Sequence, residues 1–241
     1  MSTKYIKLNT LWKRDPETNK ILTDQITCPE FKAIKKFYVT EKIHGRNKRI
    51  EFHARTVNGV THILGIRFYA KTKDAEFKPK WYRYMMKTFT TDRLKKMIRI
   101  RTDKEGNNID EAYHVTLYGE LFGAGIQKGG ENYSMGTRFA LFDVKVERWW
   151  LEQKNVIDIA KKIGIPAVPF LGILTLEEII DLVKSKYKSK IAGTDHTAEG
   201  VVARSHPLML FRDGNPIIFK LKAKDFEGIQ STTPPFRMGP P

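Results

Sequence analysis

The sequence predicts an α+β fold of largely antiparallel sheets flanked by helices. Three observations carry this. Strand-like runs recur along the whole chain, alternating or near-continuously apolar. An Asn58-Gly59 pair sits between two such runs, the strongest short-range hairpin signal. Stretches with apolar residues at helical spacing are inserted between strands rather than gathered at one end.

In chain order, Asp15-Pro16-Glu17-Thr18-Asn19 reads as a turn. Lys36 to Asn47 (KFYVTEKIHGRN) begins as a strand, with Tyr38, Thr40 and Lys42 on one face and Phe37, Val39 and Glu41 on the other. It runs into Gly45, which permits a sharp turn or a close backbone approach. The runs 39–42 and 49–54 are expected to pair around that glycine, and Lys48–Val57 with Val60–Thr72 around Asn58-Gly59. Residues 78–100 predict helix, with Pro79 in its first turn. Tyr113–Phe122 and Arg138–Val146 are strongly β-like, the second apolar enough to be buried on both faces, with a glycine-rich connection between them. Leu151–Ile163 has helical spacing at Val156, Ile159, Ala160 and Ile163 and stops at Gly164. Thr175 to Glu178 is a capping box, opening a helix with Ile179, Ile180, Val183 and Tyr187 inward and lysines outward. Two last strands lie near 199–204 and 217–222, with Asp213-Gly214-Asn215 as a turn. From about 229 the chain is polar and proline-rich, a tail or linker after one large domain over 1–228.

The 43 Lys+Arg against 27 Asp+Glu give a net charge of +16, a field that attracts polyanions. Cys28 is the only cysteine, so an intramolecular disulfide or cysteine-cluster metal site is excluded. The first residues lack the apolar core of a signal peptide, and no apolar run approaches a membrane span. The expectation is a soluble, intracellular, cytoplasmic protein with no membrane partner. No Gly-Lys dipeptide, HExxH or GxSxG is present, and Gly123-Ala-Gly125 lacks the third glycine of a dinucleotide fingerprint.

Five short stretches carry the chemistry: Glu41-Lys42-Ile43-His44-Gly45-Arg46-Asn47, Tyr118-Gly119-Glu120-Leu121-Phe122-Gly123, Phe139-Ala140-Leu141-Phe142-Asp143, Glu199-Gly200-Val201-Val202 and Phe219-Lys220-Leu221-Lys222. Taken singly, Lys42 reads as a surface charge, Lys220 and Lys222 as an edge-strand pair, and the two glutamates as salt-bridge partners. Their order and spacing resemble the covalent nucleotidyltransferase superfamily of DNA ligases, RNA ligases and capping enzymes. Lys-Ile-His-Gly with Asn47 is most similar to phage double-strand-type RNA ligases and kinetoplastid RNA-editing ligases. The resemblance spans 41–222 and implies an adenylation domain, ATP-grasp-like, that seals a 3′-OH to a 5′-phosphate.

The implied cofactors are ATP, leaving AMP on Lys42, and Mg2+ or Mn2+. The implied partner is RNA with nicked or broken ends, as in RNA repair, met by a monomer. Lysine attacks only when neutral, and at a free pKa near 10.4 roughly one in 2,500 is neutral at pH 7. Neighbouring cations and desolvation supply the shift. The resemblance gives Lys220 and Lys222 to the α-phosphate, Glu120 to the ribose hydroxyls, Glu199 to the metal, Phe139 and Val202 to the two faces of adenine, and Glu41 to the base edge. It gives Asn47 to the RNA 5′ end. His44 matches the family without a defined role. Thr72 stands where the family has an arginine that grips the 5′-phosphate, so either Lys71 or Lys73 makes that contact or the grip is altered. A C-terminal domain common in the double-strand type would follow Lys222, where about twenty residues remain. Another covalent nucleotidyltransferase, a DNA ligase or a capping guanylyltransferase, and a non-catalytic RNA-binding module are the alternative readings.

Overall fold

The computed structural model describes residues 4–71 and 77–227. Twelve strands and five helices follow in order: β1 (Asn9–Thr10), β2 (Trp12–Arg14), β3 (Ile21–Ile26), α1 (Glu30–Ala33), β4 (Phe37–Glu41), β5 (Arg46–Val57) and β6 (Val60–Ala70). Then come α2 (Pro79–Thr88), α3 (Thr91–Lys95), β7 (Glu111–Phe122), β8 (Arg138–Val146), β9 (Trp149–Trp150) and α4 (Gln153–Ile163). The chain closes with β10 (Phe170–Leu174), α5 (Leu176–Lys184), β11 (Gly200–Ser205) and β12 (Ile218–Lys222). Length predicts one large domain; the chain divides into two compact units, one built on 45–167 and the other on 6–44 with 168 onward. The expected tail from 229 lies outside the described residues.

The first unit is a five-stranded antiparallel sheet in the order β6-β5-β7-β8-β9. The Asn58-Gly59 hairpin forms as expected, with Asn58 and Gly59 both at positive φ. On β5 every second side chain (Lys48, Ile50, Phe52, Ala54) turns inward and is buried. These meet Val115, Leu117 and Leu121 of β7 and Leu141 and Val144 of β8. Helix α2 lays Trp81 and Met85, one turn apart, on this layer. Helix α4 adds Val156, Ile159, Ala160 and Ile163, and Gly164 ends it in the left-handed conformation at φ 72°. The helical stretch 78–100 is broken into α2 and α3 at Phe89-Thr90, where the Thr90 side chain caps the second helix by accepting from Arg93 N.

The second unit holds a five-stranded sheet in the order β1-β12-β11-β4-β10, antiparallel except for β1 on β12. Its core gathers Phe37 and Val39 of β4, Val201 and Ala203 of β11, and Phe219 and Leu221 of β12. These sit beneath Ile179, Leu182 and Val183 of α5. The capping box forms: Glu178 N donates to Thr175 Oγ1 (3.2 Å) and Thr175 N to Glu178 Oε2 (2.7 Å).

One pairing departs from the sequence reading. The runs 39–42 and 49–54 do not pair around Gly45. β4 lies between β10 and β11, whereas β5 lies between β6 and β7. The two runs bury their apolar faces in separate cores, and that decides their partners. Gly45 instead lets the chain press on β7, since a Cβ there would stand 2.2 Å from Leu121 O.

Candidate active site

β4 pairs with β11 and β11 with β12, so alternation assigns each candidate residue of the second unit to a face. Val202 is opposite both Thr40 and Lys220, and Gly200 is opposite Lys222. Thr40, Lys42, Val202, Lys220 and Lys222 therefore share the face turned away from the core. Lys42 follows the end of β4, and its N–H donates to Gly200 O at 2.8 Å. Gly200 stands at φ 150°, and a Cβ there would lie 2.1 Å from Leu221 O, so glycine is required next to Glu199.

Glu199 joins the group. Its Oε2 accepts from Lys42 Nζ at 2.5 Å and its Oε1 from Lys222 Nζ at 2.8 Å. Burial pushes this carboxyl up, but Lys42 and Lys222 prevail and hold it below the usual carboxylate range. The carboxylate of Glu199 thus stands between the two ammonium groups of Lys42 and Lys222.

Glu41 turns the opposite way, onto the core side of β4, at 1% exposure. Its carboxylate accepts from Ser189 Oγ and from Lys190 N (2.7 Å). Ser189 Oγ in turn accepts from Ala192 N at 3.0 Å. Burial raises the Glu41 carboxyl despite these donors. The side chain of Glu41 is an anchor for the loop leading to Glu199.

In the first unit, Asn47 and Glu120 are direct cross-strand partners on β5 and β7, on the face opposite Lys48. Phe139 is a correction. Its neighbour Ala140 is the residue paired with Glu120, so Phe139 falls on the other side of the sheet. Its ring is 0% exposed, seated over Gly119 and edge-on to Phe89 at 5.2 Å. It is a core ring with no face open to a base. Phe142 is half-buried outside that core, edge-on to Tyr5 at 4.9 Å. Lys71 is exposed just after β6, while Thr72 and Lys73 lie outside the described residues.

Sequence reasoning missed Lys48. It is 1% exposed, with Nζ 4.2 Å from the centre of the Phe77 ring and 5.3 Å from that of Trp81. Burial, reinforced by the Arg46 charge and opposed by Glu120, pushes its pKa down to about 8. The signal was a lysine in phase with the inward residues Ile50, Phe52 and Ala54.

The model of the RNA ligase family matches residues 35–222. The chain belongs to the RNA ligase family. Among solved structures, this chain is similar to point variants of the Naegleria gruberi RNA ligase. One solved with ATP and Mn is 19% identical, covering 93% of this chain and 57% of that one at a TM-score of 0.54. Another solved with ATP and Mn is 18% identical, covering 92% and 61% at 0.52. An apo variant is 19% identical, covering 83% and 54% at 0.52. The likeness is one of fold, and the chain spans just over half the length of the structures it matches. No curated protein sequence matches it.

Among the described residues no three His, Cys, Asp or Glu side chains cluster as a metal cage. Both oxygens of Glu199 are taken by lysines, so a cation such as Mg2+ would reach that carboxylate only as Lys42 leaves it, with waters and substrate phosphate oxygens as its main ligands. Among the described residues no helix is long and apolar enough to cross a membrane.

Proposed function

We propose that the chain is the adenylation part of an ATP-dependent RNA ligase, with Lys42 as the nucleophile. The observation that carries this is the gathering of Lys42, Glu199, Lys220 and Lys222 at one face of the β4-β11-β12 sheet, within a chain of the RNA ligase family. Neutral Lys42 attacks the α-phosphorus of ATP: an N–P bond forms, the bond to the β-phosphate oxygen breaks, pyrophosphate leaves and the amine loses its proton. Lys220 and Lys222 neutralise the charge that builds on the α-phosphate oxygens. A divalent cation, when bound, withdraws charge from the same oxygens, and Glu199 would hold it.

Glu199 has a second duty that follows from its geometry. It keeps Lys42 in place between turnovers, and Lys42 must leave it to attack. AMP then passes to the RNA 5′-phosphate, and the 3′-OH of the other end displaces it. Val202 walls the base, Glu120 takes the ribose hydroxyls, and Asn47 with Lys71 or Lys73 serves the RNA 5′ end. These roles follow the family resemblance.

Mass spectrometry of the protein with ATP and Mg2+ tests the reading. The expected result is a gain of one AMP that Lys42→Ala abolishes. GTP in place of ATP, and DNA in place of RNA ends, separate this reading from a capping enzyme and a DNA ligase. No covalent adduct with any divalent cation would sink it.

A further inference from the structure

Around Trp81 the first unit collects cations that the ligase roles above do not use. Arg46 Cζ, Lys48 Nζ and Lys78 Nζ stand 5.5, 5.3 and 5.4 Å from the centre of that one ring. No carboxylate among the described residues pairs with any of them; Glu120 acts on Lys48 only at longer range. Trp81 lies in the first turn of α2, whose positive end has no acidic side chain and no side-chain cap. Its Nε1–H is buried and has no acceptor among the described residues. Arg46 Nε donates to Ile126 O at 3.3 Å, which fixes the guanidinium at the rim. The arrangement is layered: Lys48 is the buried floor, and Arg46 and Lys78 are exposed. Three like charges on one indole repel one another. A buried ammonium with no hydrogen-bond acceptor among the described residues adds to that cost. An oxyanion relieves both, and a helix N-terminus with basic side chains is chemistry suited to phosphate.

We propose that Arg46, Lys48 and Lys78, gathered on Trp81 at the start of α2, form a site for a terminal phosphate group. The phosphate belongs to a nucleic-acid 5′ end or to the tail of a nucleoside triphosphate. This deepens the ligase reading and rests on it for the source of the phosphate, not for the existence of the site. The site lies on the face of β5 opposite Asn47 and Glu120, so its phosphate contact is additional to the one given to Asn47.

The test is equilibrium binding to Lys48→Met, Arg46→Gln and Lys78→Gln. The probes are a 3′-blocked RNA bearing a 5′-phosphate or a 5′-hydroxyl, and inorganic pyrophosphate. The expected result is a drop of about 10- to 100-fold in affinity for one of the phosphate probes, with 5′-hydroxyl RNA affected far less. Loss confined to 5′-phosphorylated RNA assigns the nucleic-acid end. Loss confined to pyrophosphate assigns the triphosphate tail, and loss of both assigns a shared site. Arg46→Gln and Lys78→Gln change exposed groups, so the test survives a misfolded Lys48→Met. Unchanged binding of both phosphate probes in folded variants overturns the proposal. AMP transfer to wild-type Lys42 is read in parallel. Its absence counts against the ligase reading and leaves the binding result standing.

Discussion

At the residue scale, one carboxylate answers to two lysines. Glu199 is mostly buried, and its hydrogen bonds to Lys42 and Lys222 favour the ionised form. A carboxyl whose folded-state pKa lies below its unfolded value of about 4.5 contributes stability that is complete above that value. The contribution is lost as pH falls through the lower folded-state value. Glu199→Gln should therefore lose about 1–3 kcal/mol at pH 7, with part of the cost offset by the remaining solvent exposure. The difference from wild type should shrink as pH drops below about 4.5. Denaturant midpoints across pH 3–7 check this. A variant gap that stays constant with pH counts against the bridge.

At the element scale, strand parity decides which side chains can serve the site. Glu120 and Phe139 are neighbours in the sheet yet face opposite sides. Phe139→Ala should cost about 3–5 kcal/mol of stability, as for a core ring. A stacking platform would instead lose nucleotide affinity with little change in stability, and calorimetry together with denaturant unfolding separates the two.

Much of the element pattern was legible in the sequence, because the Asn58-Gly59 turn, the Thr175 capping box and the Gly164 stop are local signals. The Lys42, Glu199 and Lys222 cluster was legible as motif order. Pairing was not. The runs 39–42 and 49–54 carry equal local signals, and their partners depend on two separate cores. The face of Phe139 depends on its register with β7, where a shift falls between Tyr118 and Gly119, and residue spacing does not encode that. Lys48 was missed because its burial arises from the packing of α2 on β5.

At the scale of the whole molecule, the net charge of +16 sets up a field that draws polyanions, RNA among them under the proposed function. Affinity for RNA should fall steeply with salt, with about −0.7 in the log–log slope per single-strand phosphate contact. Arg46→Gln should flatten that slope by about one contact. Filter binding between low and physiological salt measures it, and a flat wild-type response would remove the basic surface from the RNA-binding argument.

Glu41 and Lys42 are consecutive, yet one grips the loop at Ser189 and the other binds Glu199, where that loop ends. The intervening chain is thus a strap buckled at both ends to a single dipeptide. Its length is set by the two buckles, so a residue added or removed near Gly193 to Asp195 would have to be absorbed at the exposed tip. An alteration beside either buckle would shift the carboxylate against the amine it holds. A change of length beside Ser189 or Glu199, unlike one at the tip, would then register as a change in how Glu199 meets Lys42.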